Sequence, residues 1–175
     1  PAQFGASVAA FHEQNAARAA RWPHSLLATM THDTKRSEDV RARIDVLAEL
    51  PEEWAAALTR WQALNAEART PEPGGAGGQG MPSYNDEYLL YQTLIGVWPH
   101  GDLSPEAHAD LRDRVTEYMQ KAAQEAKIHS SWVNPNEPYL QALRAFVAKL
   151  LDPRADNAFL RDFLPFQRRI AYFGQ

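Results

Sequence analysis

Apolar residues recur along this chain mostly at helical spacing. From Ser7, residues Val8, Phe11, Ala19 and Trp22 share one face of a predicted helix, which Pro23 ends. The next segment differs. Ser25 to Thr31, SLLATMT, is short and apolar and leads into polar residues, so it predicts one buried strand. A lone strand cannot satisfy its own backbone groups, so this one is either irregular or belongs to a sheet lying outside the chain.

Helical spacing then resumes. Ser37 is placed to cap a helix, with Glu38 and Asp39 in the first turn, where the helix dipole favours acids. Val40, Ile44 and Leu47 form its apolar stripe. Pro51 suits the first turn of the next helix, and Trp54, Leu58 and Trp61 share that helix's buried face. Thr70 to Pro82, TPEPGGAGGQGMP, reads as a mobile Gly/Pro surface loop with no apolar anchor. It lacks the Lys that a phosphate-binding loop would need.

Beyond the loop, Asn85 to Trp98 predicts a helix with Tyr91, Leu94, Ile95 and Trp98 in the core. Ser104-Pro105-Glu106 is a helix start, continued by Leu111, Val115, Tyr118, Met119 and Ala122. Asn136 and Pro138 open another helix, with Leu140, Leu143, Val147 and Leu150 buried. The last follows Asp156 and carries the stripe Phe159, Phe163, Phe166, Ile170 and Phe173, with a kink or break expected at Pro165. The fold class is therefore mainly α, a bundle-like helical segment with at most one or two short strands. The Gly-rich loop marks the seam between two packed halves.

Composition narrows the possibilities. At 175 residues the chain can bury a core, and 45% hydrophobic residues are too many for a disordered chain. A formal charge of -4 with no basic stripe argues against nucleic acid as a partner. No segment is apolar enough to span a membrane, and Pro1 to Arg18 lacks a signal pattern. The absence of cysteine excludes disulfides and thiolate metal sites and fits a cytoplasmic protein. Metalloprotease spacings and serine nucleophile elbows are also missing. His12, His24, His100 and His108 read as surface or turn residues.

One segment carries candidate chemistry. Thr31-His32-Asp33-Thr34-Lys35-Arg36 sets two ionisable residues just past the predicted strand, where barrel enzymes place catalytic groups. On spacing alone, a cap or an ion pair from Asp33 to Lys35 or Arg36 explains it equally well. A second candidate stretch is Lys127 to Asn134, KIHSSWVN, polar and aromatic just past a helix. Trp132 there is either a sugar platform or a side chain packed between helices. Lys121 and Glu125 are spaced as a surface ion pair.

The His-Asp pair resembles the fourth signature region of the α-amylase family, glycoside hydrolase family 13, where it closes strand seven of a (β/α)8 barrel. The longer string THDTKRSEDVRARI, Thr31 to Ile44, resembles maltooligosyl trehalose synthases. So do LAELPEEW (47–54), EYLLYQTLIGVWP (87–99), YMQKAAQEAKIHSSWVNPNEPY (118–139) and the ending FQRRIAYFGQ. The resemblance implies a cofactor-free isomerase, a (1→4)-α-D-glucan 1-α-D-glucosylmutase of trehalose biosynthesis acting on maltooligosaccharides. It makes Asp33 the transition-state stabiliser and His32 a hydrogen-bond donor to the same sugar. Lys35, Arg36, Lys127, Trp132 and Asn134 become expected substrate contacts, with Arg36 leaning towards pairing with Glu38 and Asp39.

The family's nucleophile and acid/base motifs are not found between Pro1 and Gln175. The resemblance therefore implies a fragment, with residues 1–50 as the strand-seven region and 51–175 as a helical insertion. Its partners would be the substrate and the rest of the barrel, and it would be inactive alone. The competing readings are a non-catalytic helical interaction module and another α-amylase-family glycosidase.

Overall fold

The computed structural model describes residues 5–71, 80–154 and 156–175. Among them are seven α-helices: α1 (Val8–Arg21), α2 (Glu38–Glu49), α3 (Pro51–Leu64), α4 (Tyr84–Val97), α5 (Pro105–Ala126), α6 (Glu137–Leu150) and α7 (Ala158–Phe173). A 3-10 turn, Ala66–Ala68, follows α3. No strand occurs among the described residues, only one isolated bridge between Thr70 and Met81. No described helix is long and apolar enough to cross a membrane. The chain divides into two compact units, Pro1–Lys35 and Arg36–Gln175. The division falls between Lys35 and Arg36, so α2 belongs to the larger unit.

In the smaller unit Ser7 caps α1 by accepting from the Ala10 N–H, and α1 buries none of its residues. Its apolar face is open, with Val8 74%, Phe11 59% and the following Trp22 70% exposed. The strand expected over Ser25 to Thr31 is not formed. Leu26 is wholly exposed and Leu27 73% exposed, and no strand among the described residues pairs with the segment. Turns bracket the segment instead. The Ser25 hydroxyl donates to the Trp22 carbonyl, and the Thr31 N–H donates to the Thr34 hydroxyl.

The larger unit follows the predicted pattern closely. Ser37, Ser83, Ser104, Asn136 and Asn157 cap their helices through side-chain oxygens, each satisfying an otherwise orphaned N–H. Trp61 is fully buried at the centre and makes edge contacts with Tyr91, Phe159, Phe163 and Phe166 at 5.3 to 5.8 Å. Its indole N–H donates to Asp162 at 2.7 Å, so the one polar atom of this core residue has a partner. Trp54 and Trp98 are buried too, as their stripes predict.

Three expectations need correcting. Phe173 continues the α7 stripe but is 61% exposed, since it ends the helix beyond the last layer of packing. Pro165 does not split α7: it sits on the exposed side, where the carbonyl it leaves unbonded can be hydrated. The loop stem does carry an apolar anchor. Met81 and Pro82 are buried, and Thr70 and Met81 exchange two backbone hydrogen bonds. Mobility was expected over the whole loop, 70–82; its inner part, 72–79, lies outside the described residues.

α2 packs against α4 and α7. The approach is close at Gly96, where an added Cβ would stand 2.5 Å from Val40 Cγ1. It is close again at Gly174, 2.7 Å from the Arg43 Cα. Any side chain at either position would force the helices apart.

Candidate functional site

His32 and Asp33 lie in the short stretch between α1 and α2. The Thr31–Thr34 turn fixes the backbone on both sides of them. His32 Nε2 is 3.3 Å from Asp33 Oδ2, and the side chains are 91% and 85% exposed. The Asp33 carboxylate faces solvent. Such a pair can accept from hydroxyls through the carboxylate and donate through the imidazole. Lys35 is exposed as well.

The basic residues that follow have structural work in the larger unit. Arg36 donates to the Thr93 hydroxyl at 3.1 Å and lies over the Tyr118 ring, 5.6 Å from its centroid. Thr93 in turn donates to the Leu89 carbonyl at 2.7 Å. Arg36 thus packs across α4 and α5, in place of the expected pairing with Glu38 and Asp39. Arg43 is buried and donates to the carbonyls of Gly96 at 2.9 Å and Trp98 at 2.8 Å, with His100 2.9 Å away. It therefore caps the C-terminal end of α4 from α2. His108 is structural in the same way, half-buried with Nε2 2.7 Å from the Leu151 carbonyl.

The second candidate stretch builds a groove. Lys127 ends α5 in the left-handed region, at φ 57°. The loop then turns back on itself: Ser131 Oγ accepts from the Asn134 N–H at 3.0 Å, and buried Ser130 accepts from the Asn136 N–H at 3.0 Å. A concavity of about 520 Å³ results, lined by Lys127, His129, Ser131, Asn134 and Glu137 among others. Trp132 is 58% exposed and lines neither this concavity nor the next. It does not pack between helices.

A second concavity of about 380 Å³ adjoins the first through Ile128 and His129 and reaches Ser83, Asn85 and Asp86 at the start of α4. Buried Tyr139 contacts Ser83, Asp86 and His129 of these linings. Its hydroxyl donates to Asp86 Oδ2 and accepts from the Ser83 N–H at 2.9 Å. Burial, and then the hydrogen bond to the Asp86 carboxylate, push the Tyr139 phenol up to about 12. It remains a neutral donor across the physiological range. The His129 ring stacks on Tyr139 at 4.6 Å.

Behind α4 is a buried charge pair. Glu87 is fully buried and accepts from Arg69 at 2.5 Å and from the Tyr91 hydroxyl at 2.7 Å. Arg69 also donates to the Gly80 carbonyl and lies over the Tyr84 ring at 4.1 Å, which ties the loop stem to α4. The burial of Glu87 and the Asp86–Tyr139 bond give no signal in the sequence, where both acids read as ordinary first-turn residues.

No family model matches this chain. Two Mycobacterium tuberculosis proteins, from strains CDC 1551 and H37Rv, are named as maltooligosyl trehalose synthases. Each is 40% identical over 152 residues, 87% of this chain and 18% of theirs. A crystal structure of maltooligosyl trehalose synthase superposes with a TM-score of 0.76 at 34% identity, covering 98% of this chain and 21% of that one. Over most of its length the chain matches a stretch of maltooligosyl trehalose synthase. The Arthrobacter ramosus synthase gives a TM-score of 0.66 at 32% identity, again over 98% of this chain and 19% of its own. The chain therefore spans only about a fifth of the length of these synthases. Of the residues expected at a synthase site, His32, Asp33 and Lys35 lie in the smaller unit. Arg36, Lys127, Trp132 and Asn134 lie in the larger one.

Proposed function

We propose that this chain forms part of a (1→4)-α-D-glucan 1-α-D-glucosylmutase, acting on the reducing end of a maltooligosaccharide. The observation that carries the reading is the string Thr31 to Ile44 in a chain that matches maltooligosyl trehalose synthases over most of its length. In the reaction, a nucleophilic carboxylate displaces the terminal glucose from the anomeric carbon while an acid protonates the departing oxygen. The released glucose turns, and its anomeric hydroxyl attacks the same carbon as the second carboxyl group takes its proton. Two inversions retain configuration and leave an α,α-1,1 linkage.

Asp33 is the third carboxylate. It accepts from hydroxyls of the sugar whose ring carries the developing positive charge, and its own negative charge steadies that charge. His32, 3.3 Å away, donates to the same sugar and orients the carboxylate. Lys35, Lys127, Trp132 and Asn134 bind further hydroxyls or ring faces. Arg36, engaged by Thr93 and Tyr118, is left out of that set. Two carboxyl groups of the reaction are supplied by other strands of a (β/α)8 barrel, and those strands also cover Leu26 and Leu27. Incubating the purified chain with maltopentaose tests this division of labour. No maltooligosyl trehalose should form, and its appearance would overturn the reading.

A further inference from the structure

We propose that the larger unit holds a binding site of a different chemistry, a pocket for a small amphipathic carboxylate between α7 and the link from α4 to α5. The pocket has a volume of about 490 Å³. That lies within the range of about 300–1,000 Å³ usual for small-molecule sites. None of its lining residues is among those assigned to the maltooligosaccharide, so the pocket does not rest on that reading.

Its floor is apolar. Trp98, Leu103, Leu160 and Leu164 line it, with Pro105 and Pro153. Its charges are mostly positive: exposed Arg154, Arg161 and Arg168 against one carboxylate, Asp102, in a chain whose formal charge is -4. Two of the arginines are already neutralised. Arg168 pairs with Asp102 at 2.7 Å, and Arg154 with Asp152 at 2.9 Å. Arg161 has no side-chain partner among the described residues. Its guanidinium offers a planar fork of donors, the geometry that a carboxylate meets with two parallel bonds. Leu160, Arg161, Leu164 and Arg168 share one face of α7, which brings floor and fork together. One open fork beside an apolar floor selects one anionic group on an apolar body. A sugar, with hydroxyls all round, finds no counterpart on the leucines.

The walls are set before any ligand arrives. His108 donates through Nε2 to the Leu151 carbonyl at 2.7 Å, tying α5 to the end of α6. Asn157 donates to the carbonyls of Leu150 and Asp152 at 3.0 and 2.8 Å and accepts from the Leu160 N–H, tying α6 to α7. Little ordering cost then falls on binding.

Isothermal titration of the full chain with 3-phenylpropionate tests the proposal, with 3-phenylpropanamide and acetate as controls. The acid should bind with a Kd of about 1 mM or tighter. The amide should bind about tenfold more weakly for want of a charge-assisted bond, and acetate should bind more weakly than the acid for want of an apolar body. Arg161→Gln should weaken binding of the acid about tenfold. Arg114→Gln, at an exposed arginine of α5 outside the pocket, should leave it unchanged. Circular dichroism checks that the variants keep their helix. Should Arg161→Gln unfold, the comparison of acid with amide decides, since it needs no variant. The inference is overturned if the acid does not bind, if the amide or acetate binds as tightly as the acid, if folded Arg161→Gln binds like wild type, or if Arg114→Gln weakens binding as much.

Discussion

Arg43 shows how a charged side chain in a signature string can be structural. Its guanidinium reaches the carbonyls of Gly96 and Trp98 from a buried position, so truncation leaves both without that donor. Arg43→Ala should cost about 2–3 kcal/mol, read from urea unfolding. Glu87 is a sharper case. Its carboxylate is fully buried, and Arg69 opposite it is only 9% exposed. Glu87→Leu should cost about 3–5 kcal/mol because it strands the arginine, whereas the double variant Arg69→Met/Glu87→Leu should cost less than the single one. Asp162 adds a pH dependence. Hydrogen bonds from Arg60, at 3.0 and 3.1 Å, hold its carboxyl below the usual range; burial partly opposes this, and the Trp61 indole adds to it. Its contribution to stability is complete above the unfolded value of about 3.9 and is lost as pH falls through the lower folded value. Asp162→Asn should therefore flatten the acid limb of a plot of urea midpoint against pH.

Among the elements, α2 joins the signature string to the helical unit. Its contact with α4 depends on there being no side chain at Gly96. Gly96→Ala should destabilise by about 1–3 kcal/mol through overpacking, and Val40→Ala in the same chain should recover part of that loss. A recovery of nothing would mean that the two helices do not meet there. Helix starts were legible in the sequence because capping is local: Ser37, Ser104 and Asn136 sit within three residues of the N–H groups they serve. Core stripes were legible for the same reason, down to Trp61 and Trp98. What was not legible depends on partners far along the chain. Arg69 meets Glu87 across the Gly-rich loop, Tyr139 meets Asp86 from a different helix, and Thr93 draws Arg36 away from its acidic neighbours. Ser25 to Thr31 failed in the opposite sense: the apolar pattern of a strand is present, but a strand exists only when paired.

At the scale of the whole molecule, a well-packed helical unit is joined to a short unit whose apolar residues find no cover. Val8, Phe11, Trp22, Leu26 and Leu27 are all exposed. Exposed apolar side chains, where they gather into a patch, mark an interaction site. The chain should therefore bind the dye ANS, and Leu26→Ser/Leu27→Ser should reduce the signal without changing the helical content. Unchanged dye binding would show that the apolar surface lies elsewhere. The central claim concerns Asp33 as the carboxylate that steadies the sugar's transition state. Its most direct test is turnover of maltopentaose by a full-length synthase carrying this segment, with and without Asp33→Asn. The account predicts a fall in kcat of about 10²–10³, with KM changed far less. A kcat equal to that of the unaltered enzyme would contradict it.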